Sequence, residues 1–373
     1  MSIDLSKMPK LGFGLMRLPE NDKVIDHEHL CRMVDEYMKA GMNYFDTAFM
    51  YHDGRSEVAI REALVKRYPR ESFMLTDKLP VWMMKNESDR ERIFNEQLSR
   101  CGVDYFDIYL LHSIEDGSNY NNYVKYNCFA FLQQLQAEGR VKHIGFSFHG
   151  TPELLDMILS EHTEIEVVQI QLNYADWENP VVQSGKLYEV LRKHDVPMLI
   201  MEPVKGGTLA SAPEEADKLM REARPNASIA SWALRFVGSL PGVMTVLSGM
   251  STDEQMRDNI STFAHFEPLT EQDQAIIART QAILLNQNTV ACTACRYCTE
   301  GCPMGISIPD VFKALNTVRL YNEEFRPKAF YRELTLNTGK ASDCVACGQC
   351  ESVCPQHLPI IELLQEAAEK LEG

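Results

Sequence analysis

The sequence predicts an α/β chain in which a (β/α)8 TIM barrel is followed by a small cysteine-rich domain. Short apolar runs alternate with helical stretches through the first three-quarters of the 373 residues, which is typical of successive strands and helices. Eight of the 11 cysteines stand between Cys292 and Cys354. We therefore expect a barrel over residues 1–285 and a second domain over residues 286–373.

The barrel prediction rests on eight candidate strands, each followed by a helical stretch. The strand-like runs are residues 11–19, 42–46, 73–78, 106–112, 141–146, 167–172, 197–201 and 243–247. The helical stretches lie at about residues 26–40, 56–67, 88–101, 128–138, 152–160, 185–194, 227–237 and 252–263. An open doubly wound sheet would carry a G-x-G-x-x-G motif after an early strand, and none stands there. The barrel is therefore favoured.

Local signals mark where several elements begin and end. Ser56 is a candidate N-cap for the second helix. Glycines follow three of the predicted helices as stop signals, at Gly41, Gly102 and Gly139. The stretch at residues 119–127, rich in Asn and Tyr, predicts a polar loop. Residues 269–273 form a candidate capping box for a helix to about residue 285, and the polar residues 286–289 are the expected domain boundary.

Polar side chains close three consecutive strand-like runs. Asp46 ends the second run, Lys78 the third and His112 the fourth. Tyr51 follows Asp46 in the next loop. Since the carboxyl ends of barrel strands carry the chemistry, we expect these four side chains to share one catalytic site. The alternative is ordinary polar packing at strand ends.

Composition and charge set limits on the partners of the chain. The formal charge of −16 argues against nucleic acid and against an anionic membrane surface. No apolar run approaches the roughly 20 residues that span a bilayer. Residues 1–7 lack the apolar core of a signal peptide, so we expect a cytoplasmic protein.

The cysteines form two copies of one motif, C-x2-C-x2-C-x3-C-P. The first copy is Cys292, Cys295, Cys298 and Cys302, and the second is Cys344, Cys347, Cys350 and Cys354. Such a run gives three thiolates to one [4Fe–4S] cluster and the fourth to the other. Zinc is the alternative, but it usually shows two C-x2-C pairs instead. The long insert, with a helix start near Ser307, predicts a helical two-cluster domain.

These residues and motifs resemble those of a known family. The barrel is similar to the aldo-keto reductases, and the whole chain resembles their subgroup with a C-terminal ferredoxin-like domain. The motifs that carry the resemblance are Phe45-Asp-Thr-Ala48 and Leu110-Leu-His112. The resemblance implies that the family's catalytic tetrad falls on the strand-end residues Asp46, Tyr51, Lys78 and His112.

Carbonyl reduction accounts for these residue types. Hydride addition leaves an oxyanion that must be protonated, and the phenol of Tyr51 suits this task if its pKa falls. An ammonium at Lys78 favours phenolate and is expected to lower that pKa, with Asp46 holding Lys78 in place. His112 is expected to hydrogen-bond to the carbonyl oxygen and orient it.

The resemblance also implies a nicotinamide site with departures from the family pattern. Ser147 and Gln169 match the Ser and Gln that hold the carboxamide, but Phe148 stands where the family has Asn. Met201 takes the position of the aromatic residue that stacks on the ring, and its thioether can pack there less specifically.

The rest of the nucleotide is expected beside the eighth strand. Ser248 and Gly249 would donate backbone N–H groups to the diphosphate, and Asp258 and Asn259 resemble the family's adenine-binding pair. Gly249 and Gln255 occupy the positions of the family's cations for a 2′-phosphate. We therefore expect NADH to bind at least as tightly as NADPH.

We interpret the chain as an iron–sulfur oxidoreductase that reversibly reduces a small-molecule carbonyl to an alcohol with NAD(P)H. Its two [4Fe–4S] clusters would pass single electrons to or from a redox partner protein. Hydride moves two electrons together, so a flavin would bridge the two chemistries, although no flavin motif is visible. Two alternatives stay open: an electron-transfer module with the barrel as scaffold, or a plain reductase whose clusters are structural or sense redox state.

Overall fold

The computed structural model describes residues 5, 8–179, 182–285, 289–321 and 325–373. These residues fall into two units. The first is Met1–Pro203 with Ala233–Leu269, and the second is Val204–Trp232 with Thr270–Gly373. The predicted boundary at residue 286 lies outside the described residues and stays a prediction.

A closed barrel of eight parallel strands forms the first unit. The strands are β1 Leu11–Gly14, β2 Tyr44–Asp46, β3 Met74–Leu79, β4 Phe106–Ile114, β5 Val141–Phe148, β6 Val167–Gln171, β7 Met198–Met201 and β8 Val243–Ser248. Strand β1 pairs with β2 on one side and β8 on the other, which closes the ring. This confirms the predicted fold class.

Helices alternate with the strands along the chain and continue through the second unit. They are α1 His27–Lys39, α2 Ser56–Ile60, α3 Asp89–Cys101, α4 Gly117–Lys125, α5 Cys128–Ala137, α6 Pro152–Glu161, α7 Ser184–Lys193, α8 Glu214–Ala223, α9 Ile229–Gly238, α10 Asp253–Ala264, α11 Glu271–Leu285, α12 Tyr297–Glu300, α13 Ile308–Tyr321, α14 Phe325–Leu334, α15 Gln349–Ser352 and α16 Ile360–Leu371. A π-helical turn, Arg61–Val65, continues α2.

Buried apolar side chains account for why the strands form. Strands β3, β4 and β6 are buried along their whole length, as parallel strands covered on both faces must be. A cluster of side chains from most of the strands packs together with Met8. Its strand members are Tyr44, Met74, Ile108, Leu110, Val167, Leu199 and Leu247. The barrel is therefore a packed core, and polar residues are left to the strand ends.

Two local predictions are wrong. Ser56 is not an N-cap, because Arg55 holds that position and the Ser56 hydroxyl donates instead to the Leu15 carbonyl at 3.0 Å. Residues 119–127 are not a loop, since most of them lie in α4. The Asp116 side chain caps that helix, and its Tyr120 and Tyr123 are buried.

A short hairpin and a helix before β8 were also not predicted. A short hairpin, Glu20–Asn21 paired with Val24–Ile25, follows β1. Helix α8 lies between β7 and β8 in the chain and belongs to the second unit.

The second unit is helical, as the long insert between the cysteine motifs predicts. The capping box at α11 is confirmed: Thr270 N–H donates to Asp273 Oδ2 at 2.9 Å, and Asp273 N–H donates to Thr270 Oγ1 at 3.2 Å. Arg224, just after α8, donates to both carboxylate oxygens of Asp273, at 2.9 and 2.6 Å. Helices α13 and α16 bury Phe312, Leu315 and other apolar side chains in a common core.

None of the helices in the described ranges combines the length and the apolarity needed to cross a bilayer.

Candidate functional sites

The four predicted catalytic side chains lie at the carboxyl ends of β2, β3 and β4 and in the loop after β2. Lys78 is fully buried, and its Nζ donates to Asp46 Oδ1 at 2.5 Å and to the Thr47 carbonyl at 2.8 Å. Its third donor faces the Tyr51 hydroxyl at 3.3 Å. An ammonium has three donors, so these acceptors account for all of them.

The charge state of Tyr51 differs from the sequence expectation. Burial raises the pKa of the Tyr51 phenol well above its usual value, and the Asp46 carboxylate raises it further. Lys78 favours the phenolate, but desolvation outweighs that attraction. The phenol is therefore held as the protonated acid, the form that carbonyl reduction requires.

His112 is neutral for a similar reason. Burial lowers the pKa of the His112 imidazole well below its usual value, and the Lys78 ammonium lowers it further. Its ring lies 6.1 Å from that of Tyr51 and 5.1 Å from that of Trp82, centre to centre. His112 Nδ1 is buried and has no hydrogen-bond partner within the described part of the chain. A neutral imidazole beside the phenol can hydrogen-bond to a carbonyl without competing for the proton.

Two residues that sequence reasoning missed fix the Lys78 backbone. Lys78 N–H donates to Asp77 Oδ1 at 2.8 Å. Gln97 Nε2 donates to Asp77 Oδ1 at 2.6 Å and to the Lys78 carbonyl at 3.0 Å, while Tyr109 donates to Gln97 Oε1 at 2.5 Å. A polar Asp within an apolar strand, directly before the Lys, was the available signal.

The predicted nicotinamide residues lie on neighbouring strands. Ser147 and Gln169 are directly opposite each other in the β5–β6 register. Gln169 Nε2 donates to Asp46 Oδ2 at 3.0 Å, so it joins the cluster of strand-end side chains around Lys78. Ser147 Oγ accepts from Ser113 N–H at 2.7 Å. These two amide- and hydroxyl-bearing side chains fit a ring carboxamide.

Phe148 and Met201 are the two departures from the family pattern, and they end strands β5 and β7. Phe148 is buried, and its ring packs against Phe146 at 5.9 Å. Met201, which ends β7, is partly exposed.

The predicted diphosphate and adenosine residues lie at the end of β8 and on α10. Buried Asn259 donates through Nδ2 to Ser248 Oγ at 2.7 Å, so these two residues are brought together. Gly249 is exposed, and Asp258 is partly buried on α10. Gln255 accepts from Ser251 N–H at 2.8 Å and thereby closes the loop between strand and helix.

The eight motif cysteines line two separate cavities in the second unit. Cys292, Cys295 and Cys298 line one cavity together with Cys354. The other is lined by Cys302, Cys344, Cys347 and Cys350. In each set the fourth thiol comes from the other motif, which is the crossed arrangement of a two-cluster domain. Ile308 lines both cavities, so the two lie on either side of one side chain.

The two cysteine loops share one backbone conformation. Ala294 and Arg296 have φ of 54° and 68°, and the matching residues Ala346 and Gly348 have φ of 54° and 77°. Residues other than glycine rarely adopt this left-handed region. Such turns direct successive N–H groups into a concave loop that favours bound anionic groups.

The donor set fits a cationic core coordinated by thiolates. Burial raises the pKa of the Cys298 thiol to about 12, with further contributions from the neighbouring Cys295, Cys292 and Cys354. Four crowded sulfurs resist deprotonation unless positive charge lies among them. A cluster core provides that charge, and thiolate coordination is its usual mode of binding.

The fold and the strand-end site define an oxidoreductase barrel, and comparison with known proteins identifies its family. The model of the aldo/keto reductase family matches residues 10–282, so the chain belongs to that family. Residues 291–358 match the model of a 4Fe-4S dicluster domain.

Named relatives agree with this assignment. The uncharacterized oxidoreductase YqkF of Bacillus subtilis is 25% identical over 306 residues, which cover 73% of this chain and 91% of YqkF. The NADH-specific methylglyoxal reductase of Escherichia coli is 24% identical, over 68% of this chain and 89% of that protein. Among solved structures, an aldo/keto reductase from Klebsiella pneumoniae in complex with NADP and acetate has a TM-score of 0.60 at 22% identity. That similarity covers 73% of this chain and 91% of the Klebsiella chain, and it supports the fold.

Proposed function

We propose that the barrel catalyses the reversible, NAD(P)H-dependent reduction of a small carbonyl compound to an alcohol, and that two [4Fe–4S] clusters link it to a one-electron partner. The observation that carries the proposal is the buried Lys78 ammonium, bound at once by Asp46 and Tyr51. Burying a charge in this way is costly, and a purely structural strand end would not need it.

Each of the four strand-end residues has a separate role in the proposed reaction. When bound, a nicotinamide nucleotide exchanges hydride and each cluster exchanges one electron. Tyr51 gives its hydroxyl proton to the carbonyl oxygen as the carbon gains hydride, and takes it back in the reverse direction. Lys78 stabilises the phenolate left behind, and Asp46 holds Lys78 in place. Neutral His112 hydrogen-bonds to the carbonyl oxygen.

The eight thiols are proposed as the cluster ligands in the two crossed sets described above. A redox partner protein follows from that assignment, because clusters near a protein surface exchange electrons with other carriers. Cys347 is exposed, which places the set of Cys302, Cys344, Cys347 and Cys350 at the surface of its unit. A cytoplasmic location remains a prediction from the sequence.

Replacing Tyr51 by Phe tests the catalytic assignment. Tyr51→Phe should lower carbonyl turnover by roughly two to four orders of magnitude, the range for losing a general acid, while nucleotide affinity is unchanged. Methylglyoxal is a suitable first substrate, since a relative is named for its reduction. The measurement is steady-state turnover with NADH and with NADPH, beside a fluorescence titration of nucleotide binding.

Tyr126→Phe is the matched control, because the Tyr126 hydroxyl donates to the Lys85 carbonyl over a long distance of 3.4 Å. Undiminished turnover in Tyr51→Phe would remove the phenol from the mechanism and favour the scaffold alternative.

The choice of nucleotide is a second proposal. A 2′-phosphate needs Arg or Lys, ideally in bidentate contact. Gly249 and Gln255 stand where such cations are expected, and Arg257 on α10 is held by Glu36 at 2.8 Å. Titration of the wild-type protein should show NADH binding at least as tightly as NADPH. Clearly tighter NADPH binding would contradict this, and Arg257→Ala would then show whether that side chain supplies the charge.

A further inference from the structure

The diphosphate of a dinucleotide carries two negative charges, and the expected loop after β8 offers it little side-chain compensation. Gly249 has no side chain, and Gln255 is neutral and bonded to Ser251 N–H. Arg257 is exposed and engaged with Glu36. Backbone N–H groups alone bind anions, but cations usually complete such a site.

Arg17, in the loop after β1, lies across this position. A Cβ added at Gly249 would come within 3.0 Å of Arg17 Cδ and 3.2 Å of its Cβ and Cγ. The aliphatic part of Arg17 therefore packs closely on the Gly249 backbone, where a larger residue would crowd it. Ser251 Oγ donates to the Arg17 carbonyl at 2.8 Å, so backbone and side chain are both fixed to the loop.

The guanidinium of Arg17 reaches toward the catalytic cluster. Its Nη2 lies 3.8 Å from Glu202 Oε1, and the two side chains are 30% and 17% exposed. Glu202, directly after β7, has a left-handed φ of 55° and is held by Asn173 Nδ2, which donates to its carbonyl at 3.1 Å. The Glu202 carboxylate also raises the pKa of Tyr51. A partly exposed ion pair at this length is weak, and a second anion can displace it.

We propose that Arg17 binds the diphosphate of the nicotinamide dinucleotide, with Glu202 as its counterion when the nucleotide is absent. This inference rests on the proposed function. The cation for the diphosphate comes from the loop after β1. A side chain at position 249 would crowd the arginine stem, because an added Cβ would lie 3.0–3.2 Å from it.

Binding measurements on the full-length, cluster-loaded protein test the proposal with variants of opposite expected effect. Arg17→Gln should weaken NADH binding roughly tenfold to a hundredfold, the range for losing a hydrogen-bonded charge pair. Glu202→Gln should strengthen it, because the competing carboxylate is removed. Both are measured by nucleotide fluorescence titration, with ADP and adenosine as competing probes.

Adenosine, which has no phosphate, distinguishes a loss of diphosphate binding from general damage to the nucleotide site. Arg17→Gln should weaken ADP binding and leave adenosine binding unchanged, and the exposed-arginine control Arg257→Gln should change neither. Unchanged NADH affinity in Arg17→Gln, or an equal loss in Glu202→Gln, would overturn the proposal. Wild-type protein that binds neither NADH nor ADP would overturn it too, together with the nucleotide part of the proposed function. If the wild-type protein binds NADH and the Arg17→Gln substitution does not change that affinity, the role of Arg17 is refuted and the nucleotide part of the proposed function stands.

Discussion

Lys78 shows how one buried charge organises its neighbours. Its ammonium is fully desolvated, a position that costs several kcal/mol unless partners compensate. Asp46 supplies the opposite charge, and the Thr47 carbonyl and Tyr51 hydroxyl supply the remaining acceptors. Gln169 holds the second Asp46 oxygen. The orientation of the Tyr51 phenol therefore depends on a hydrogen-bonded set contributed by several strands.

Lys78→Met should move the alkaline limb of the pH–rate profile to higher pH. Burial already raises the pKa of Tyr51. The Lys78 ammonium lies 3.3 Å from the phenol oxygen, and an adjacent cation favours phenolate, so its loss should raise that pKa further. The measurement is kcat/KM against pH in the reductive direction, with exposed Lys85→Met as the control. An alkaline limb that stays in place, or moves to lower pH, would show that Tyr51 is not the titrating acid.

The strand-end residues could be predicted because they depend on local sequence. An apolar run that closes on a polar residue is visible without any tertiary contact. The raised pKa of the Tyr51 phenol could not be predicted, since the amount of desolvation depends on all the side chains packed around the site. Asp77 and Gln97 were missed for the same reason: their importance lies in bonds to the Lys78 backbone.

At the level of elements, the cysteine loops combine predictable and unpredictable features. The motif spacing indicates the crossed ligand sets. It does not indicate that Ala294 and Ala346 adopt left-handed conformations, because alanine avoids them in isolation. Helix α4 is similar: its Asn- and Tyr-rich composition suggests a loop, and the burial of Tyr120 and Tyr123 stabilises a helix instead.

A pair of adjacent glycines allows a matched test of one cysteine loop. Gly206 and Gly207 have φ of 64° and 96°. A Cβ at Gly206 would lie 2.2 Å from the carbonyl oxygen of Thr293, between Cys292 and Cys295, whereas one at Gly207 would meet nothing within 4 Å. Gly206→Ala should therefore displace the loop and lower the iron content by up to half, while Gly207→Ala should keep it.

Both alanine variants carry the backbone cost of a positive φ, about 1 kcal/mol or more. The measurement is iron per chain after anaerobic purification, with the electron paramagnetic resonance spectrum of the reduced protein. Equal iron loss in both variants would mean that backbone strain, and not the contact with Thr293, holds the loop.

The whole molecule joins two chemistries within one chain. The barrel unit carries a site suited to two-electron hydride chemistry, and the second unit carries two sets of four thiols. That second unit also includes Val204–Trp232, through α8 and its Arg224–Asp273 ion pair. The contribution of this segment could not be predicted from the sequence, because it depends on packing between helices that are distant along the chain.

The central claim is that one chain combines this barrel with two clusters. The most direct test is to quantify iron and acid-labile sulfide in anaerobically purified protein. The eight-thiol arrangement predicts about eight irons and about eight sulfides per chain, with visible absorption that dithionite bleaches. Stoichiometric zinc without sulfide would contradict the account, because the second unit would then be a structural metal domain and the link to a one-electron partner would be lost.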